Sequence, residues 1–178
     1  MTAKGDGGMN ITDIVMEAAR KHSLSPQLVA AIIYQESKGN VYAYRFEPNF
    51  FKRLDLRPRN LMAGHIPEFP SLANEKRARA VSYGLMQILG ETARVMGFKN
   101  QYLLALIEPK TNVNLGCAYL KKLMEKAKAR GLEGRKQERQ ALLWYNGGGD
   151  KTYPDKIFSH IESLVIYDSI LEQSTANG

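Results

Sequence analysis

The sequence predicts a mainly α fold, built as one domain with a long irregular or small β-like insertion. Three observations predict it. Apolar residues recur at helical spacing through most of the chain. Capping residues and glycines bracket those stripes. Only Val41-Tyr42-Ala43-Tyr44-Arg45-Phe46 alternates in the manner of a strand. At 178 residues the chain is long enough to bury a core within a single domain. The expected organisation is a loose tail over 1–9, a folded domain over 10–172 with its insertion at about 40–80, and a polar tail over 173–178.

A first helix is expected up to about Lys21, capped by Asn10 or Thr12, with Ile11, Ile14, Val15 and Ala18 as its apolar face. A second follows a short turn. Ser25 is a good N-cap, Pro26 suits the first helical position, and Leu28, Val29, Ile32 and Ile33 form the stripe. Gly39 is the expected left-handed stop. From Asn40 to about Pro70 the pattern turns irregular, with Glu47-Pro48-Asn49-Phe50-Phe51 and breaks at Pro58, Gly64, Pro67 and Pro70. A long loop of this kind, beginning just after Glu36, could form a lip over a cleft. Leu72 to Ala80 reads as a polar helix, Glu91 to Met96 as a helix closed by Gly97, and Gln101 to Ile107 as a short helix. After Pro109, Thr111 or Asn112 is expected to cap a long helix reaching about Arg130, with Val113, Gly116, Cys117, Leu120, Leu123 and Met124 along one face. Gly131 and Gly134 punctuate. A further helix carries Ala141, Leu142 and Leu143 into Trp144-Tyr145-Asn146 and ends at Gly147-Gly148-Gly149. Pro154 opens the last, with Ile157, Phe158, Ile161, Leu164 and Val165 at helical spacing.

Glu36 stands in the last turn of the second helix, on or beside its buried stripe. The negative end of the helix dipole and the apolar neighbours both disfavour an ionised acid there. Glu36 can be read two ways at this point: a solvated carboxylate at a fraying helix end, or an acid kept protonated near neutrality and able to donate its proton.

Much other chemistry falls away. Cys117 is the only cysteine, so no intrachain disulfide or thiol–metal cluster can form, and a small buried hydrophobe is the expectation. His22, His65 and His160 lie far apart and form no His-Glu-x-x-His pattern, so no metal site is expected. There is no Gly-x-Ser-x-Gly turn, and the glycines near Gly147 lack the Lys-Ser/Thr ending of a phosphate loop. No apolar run is long enough to span a bilayer, and Met1 to Gly8 shows no hydrophobic signal segment. The net charge of +7 suits an anionic partner or surface. Basic residues gather at Arg53, Arg57 and Arg59, at Lys76, Arg77 and Arg79, and from Lys121 to Arg139, mostly as expected solvated helix faces. A basic helical nucleic-acid-binding module is compatible with the charge. However, the Ser25–Glu36 helix is apolar and ends in an acid, whereas a recognition helix should present Arg, Asn or Gln to bases.

A carboxylate-centred reaction remains. Gly84-Leu85-Met86-Gln87 sets a glycine, a thioether and an amide at a helix start. Tyr145-Asn146 ends an apolar helix, and Tyr153 precedes Pro154. Amides that bond acetamido and hydroxyl groups, beside tyrosines with a flat face and a polar tip, suit N-acetylated sugars. Glu36-Ser37, Gly84-Leu85-Met86-Gln87, Tyr145-Asn146 and Tyr153 occur in the order of the lytic transglycosylase motifs. Over roughly residues 10–170 the chain resembles the soluble lytic transglycosylase catalytic domain, of the goose-type lysozyme-like fold.

The resemblance implies a peptidoglycan lytic transglycosylase with Glu36 as its only catalytic acid/base and with no cofactor or metal. It would cleave the bond between N-acetylmuramic acid and N-acetylglucosamine and leave 1,6-anhydro ends. Ser37, Gln87, Tyr145, Asn146 and Tyr153 would orient Glu36 or hold acetamido groups, and Gly84 and Met86 would shape the cleft floor. Implied partners are peptidoglycan glycan strands, with anionic cell-wall polymers as a further one. No nucleic acid partner and no membrane span are implied, and the chain is expected to be a monomer. Action on the cell wall (periplasmic or extracellular) without a signal segment suits a phage-type lysin, a protein exported by other means, or a chain from which the signal has been removed. Two departures stand out. The link from Glu-Ser to Gly-Leu-Met-Gln is longer than the family's, and Trp144 stands where the third motif commonly has alanine, as a core residue by preference over a sugar platform. Arg45-Phe46-Glu47-Pro48 resembles a segment of some phage-type muramidases, so Glu47, or Asp55, is a possible second carboxylate for a hydrolysing lysozyme. Pairing of Glu47 with an arginine is the favoured reading.

Overall fold

The computed structural model describes residues 10–55 and 71–176, with side chains as far as Leu164. The expected tail over 1–9, the breaks at Pro58, Gly64, Pro67 and Pro70, and Arg57, Arg59 and His65 lie outside the described residues, as does the side chain of Val165. In chain order the elements are α1 (Ile11–His22), α2 (Pro26–Ser37), β1 (Tyr44–Phe46), α3 (Pro48–Arg53), α4 (Leu72–Arg79), β2 (Val81–Tyr83), β3 (Ile88–Leu89) and α5 (Gly90–Val95). A 3-10 turn (Leu103–Ile107), α6 (Pro109–Lys128), α7 (Gly134–Tyr145) and α8 (Tyr153–Ala176) complete it. The fold class is mainly α, as expected.

Helix α2 is the buried strut. The Ser25 Oγ accepts the Leu28 N–H, and Pro26 occupies the first turn. Leu28, Val29, Ala31, Ile32 and Ile33 are buried between α1 and α8. Burial of aliphatic side chains of this size contributes about 1.5–3 kcal/mol each. The left-handed stop comes one residue before the expected Gly39: Lys38 has φ 54° and Gly39 follows at φ 80°. The Lys38 ammonium lies 4.0 Å over the Tyr34 ring, a contact that helps offset the cost of a left-handed residue bearing a Cβ.

Asn10 caps α1, its Oδ1 accepting the Asp13 N–H at 2.8 Å. Helix α6 packs on α1 and α7, and α7 on α8, closing the core around Val113, Cys117, Leu120, Leu142 and Ile157. Burial pushes the Cys117 thiol up to about 12, which leaves it an inert thiol packed as a hydrophobe. Neither Thr111 nor Asn112 caps α6. Glu108 does, its carboxylate accepting the N–H groups of Lys110 and Thr111, with Pro109 at the first position. Asn112 lies one turn in, fully buried and engaged elsewhere.

The 40–80 region is more ordered than its composition suggests. Glu47 precedes a short helix, α3, and β1 begins only at Tyr44. An antiparallel sheet in the order β1-β2-β3 sets Tyr44 opposite Tyr83, Arg45 opposite Ser82 and Phe46 opposite Val81. Alternation sends Arg45 and Ser82 toward one cleft and Tyr44, Phe46, Val81 and Tyr83 toward a groove on the other side.

One expected surface charge is in the core. Arg79 and Arg94 are fully buried beside Glu75, which is 4% exposed. Glu75 Oε1 accepts from Arg79 Nε and Arg94 Nε, each at 2.8 Å. Arg79 also reaches Glu91, and Arg94 Nη1 donates to the carbonyls of Phe98 and Asn100. These bonds tie α4 to α5 and to the loop after it, which anchors the sheet's base.

Candidate active site

Glu36 leaves the last turn of α2 half-buried and faces a cleft of about 310 Å³. The cleft is walled by the sheet on one side, with Arg45, Glu47 and Ser82, and by α6 and α7 on the other, with Tyr119, Trp144 and Tyr145. The Tyr153 hydroxyl donates to Glu36 Oε1 at 2.6 Å. Burial raises the Glu36 carboxyl above the ordinary carboxylate range; the Tyr153 hydrogen bond and the charge of Arg45 oppose that rise, and the charge of Glu47 adds to it. Burial also pushes the Tyr153 phenol far above its usual range, so it remains a neutral donor. The residue before Glu36 is tethered too: His160 Nε2 lies 3.0 Å from Gln35 Oε1.

Behind the cleft a chain of bonds fixes its floor. Gly84 has φ 69°, and a Cβ there would lie 2.6 Å from Asn112 Nδ2. Asn112 donates to the carbonyls of Tyr83 and Leu106 and accepts the Met86 N–H, all at 2.8 Å. The Met86 side chain is fully buried, and a Cβ at Gly116 would meet its Sδ at 2.4 Å, so Met86 braces the floor from beneath. Its carbonyl accepts the Tyr145 hydroxyl at 2.8 Å. Burial, with Glu36 nearby, holds the Tyr145 phenol well above its ordinary range.

Gln87, Tyr145 and Asn146 line the cleft with Glu36. Gln87 adopts φ 46°, a left-handed conformation costly for a residue with a Cβ, and its Nε2 donates to the Gly84 carbonyl. Asn146 caps α7 and accepts the Asp150 N–H through Oδ1. Asp150 in turn accepts from Thr152 and Lys156, and its carbonyl accepts the Tyr153 N–H. The turn after the three glycines thus delivers Tyr153 to Glu36. Ser37 is not among the cleft-lining residues; its hydroxyl donates to the Ile33 carbonyl within α2.

Glu47 shares the cleft with Glu36 and is held by two donors. Arg45 Nε lies 2.7 Å from its Oε1, and Ser82 Oγ donates to the same oxygen at 3.2 Å. Asp55 is not among the residues lining this cleft. Trp144 is neither wholly core nor open platform: it is half-buried, packs on the core and lines the cleft. The residues missed in sequence are Asn112, Ser82 and Asp150. An asparagine inside the apolar stripe of α6 was the available signal for the first; the others are visible only once the chain is folded.

A helical domain whose cleft holds a desolvated acid beneath a tyrosine, between amide and aromatic walls, has the build of a lysozyme-like glycan-cleaving enzyme. The chain belongs to the Transglycosylase SLT domain family, which matches residues 13–156. It is accordingly a peptidoglycan-cleaving enzyme that acts on the cell wall. No curated protein and no solved structure matches the chain. Among the described residues no helix is long and apolar enough to cross a membrane.

Proposed function

We propose that the chain is a lytic transglycosylase that uses Glu36 alone as acid and base. Protonated Glu36 gives its proton to the oxygen between N-acetylmuramic acid and N-acetylglucosamine. The bond from that oxygen to the muramic anomeric carbon breaks, assisted by the 2-acetamido group of the same sugar. Glu36, now a carboxylate, takes the proton of the sugar's 6-hydroxyl as that oxygen closes on the anomeric carbon. The product is a 1,6-anhydro end. No water is consumed and Glu36 finishes protonated, so no second carboxylate is needed. Gln87 and Asn146 bond acetamido and hydroxyl groups, Tyr145 holds the wall, and Tyr153 steadies the ionised Glu36 between the two steps.

The observation that carries this reading is an asymmetry between two carboxylates of one cleft. Glu36 is desolvated and kept toward its acid form, whereas Glu47 is ion-paired with Arg45 and hydrogen-bonded by Ser82. A hydrolysing muramidase is the second reading, with Glu47, which lines the same cleft as Glu36, as the carboxylate that activates water. A reducing-end assay separates the two. Falling turbidity of purified peptidoglycan without new reducing ends supports the transglycosylase. New reducing ends in step with clearing support the muramidase.

A further inference from the structure

Trp144 is the one tryptophan of the chain, and its ring carries two cations. Lys126 Nζ lies 4.6 Å and Arg130 Cζ 4.9 Å from the ring centroid. A sugar-stacking platform needs a bare aromatic face, whereas this ring is already engaged by positive charge. Lysine and arginine near the C-terminus of α6 are ordinary complements of a helix dipole. That does not explain why both converge on the one indole that lines the catalytic cleft. Neither side chain pairs with a carboxylate among the described residues, and both are exposed over the ring of this cleft-lining residue. Glu125 of the same helix is turned to Lys121 instead.

We propose that Trp144, Lys126 and Arg130 form a cationic rim subsite that takes a carboxylate of a stem peptide carried by the glycan strand in the cleft. The assignment rests on the peptidoglycan-cleaving reading given above. The peptide leaves the muramic sugar beside the scissile bond, and its free carboxylates are the anionic groups nearest a strand held against Glu36. Trp144 acts as the scaffold: it fixes two flexible cations at the rim before the ligand arrives, which lowers the ordering cost of binding.

The test uses the indole as its reporter, since no other tryptophan contributes to the signal. Glu36→Gln protein is titrated with soluble glycan fragments bearing stem peptides, and with the same fragments after their peptide carboxylates are converted to primary amides. The free-carboxylate fragments should bind about three- to tenfold more tightly at low salt, from two exposed ion pairs of modest strength. The gap should narrow as salt rises. In the added double variant Lys126→Ala/Arg130→Ala the ratio of the two affinities should fall to near one, and Lys126→Arg/Arg130→Lys should keep it. A ratio near one before the rim is altered, or one unmoved by the double alanine change, overturns the subsite while leaving the enzyme reading intact. So does a glycerol-phosphate polymer that produces the same fluorescence change at lower concentration. Failure of both fragments to bind, together with absent cleavage by the unaltered enzyme, overturns the peptidoglycan reading itself and the subsite with it.

Discussion

The Tyr153 hydroxyl donates to Glu36 Oε1 across 2.6 Å and joins residues 117 positions apart. The bond links the first turn of α8 to the last turn of α2. It also sets the acid's character. Burial drives Glu36 toward its neutral form, and the phenol partly restores the ionised one, a balance that suits the proposed double role of acid and base.

Tyr153→Phe removes that donor and keeps the ring. A hydrogen bond to a charged group is worth about 1.5–3 kcal/mol, and this one favours the ionised form of Glu36. The Glu36 carboxyl should therefore titrate higher. The alkaline limb of the pH–rate profile, where the acid form is lost, should move up, and the acid step should slow as Glu36 becomes the weaker acid. The pH dependence of kcat/KM on soluble glycan fragments measures both.

Glu36→Gln should lower cleavage by about 10²–10⁴-fold, the usual contribution of a positioned acid–base group. It should also stabilise the fold near neutrality. The folded carboxyl titrates above its unfolded value, so stability is full below the unfolded range and is lost as pH rises through the folded value. Glutamine carries no such loss. Thermal melts should show a higher Tm for the variant at pH 7, with the gain fading below about pH 4, where an ordinary glutamate is protonated in both states.

Glu47→Gln should cost well under the loss seen at Glu36, about tenfold or less, because its partner Arg45 is largely exposed and such pairs are worth about 0–1 kcal/mol. It should also lower the Glu36 titration slightly, since the Glu47 charge opposes ionisation there. Steady-state rates and a pH profile check the two effects separately.

Glu75→Gln leaves Arg94 buried without its counter-charge and Arg79 with Glu91 alone. Breaking such a buried group costs about 3–5 kcal/mol, which for a chain of this size lowers Tm by about 6–20 °C. Burial alone would raise the Glu75 carboxyl, but hydrogen bonds from Arg94 and Arg79 outweigh it and hold it below the ordinary range. Its stabilising contribution is therefore present above the unfolded carboxylate range and is lost as pH falls through the lowered folded value. Urea unfolding near pH 7 and in mild acid should show the unaltered chain weakening on acidification and the variant much less so.

The parts of the fold written in local pattern were legible in the chain. Ser25-Pro26 and the stripe from Leu28 to Ile33 mark α2, and the acid at its end follows from caps and spacing alone. The sheet was not legible, because Val81–Tyr83 and Ile88–Leu89 are too short to show alternation. Their pairing with Tyr44–Phe46 comes from tertiary contact. Arg79 reads as a surface cation in a basic run, yet Glu75 one turn earlier and Arg94 far along the chain take it into the core. Asn112 looks like a cap because it follows Pro109, and it is a brace for Gly84 and Met86 because the chain folds back onto it. Tyr153 stood out by its place before Pro154, but only the turn fixed by Asp150 and Asn146 shows why it reaches Glu36. Trp144 departs from the motif around it, and its two cations come from the end of α6 and the turn after it.

The most direct measurement is mass spectrometry of the fragments released from purified peptidoglycan, with Glu36→Gln protein as the control. The single-acid account predicts muramic ends in the 1,6-anhydro form from the unaltered enzyme, and almost none from the control. Ends heavier by one water, released at a comparable rate, would contradict it and make Glu47 the second carboxylate of a hydrolase.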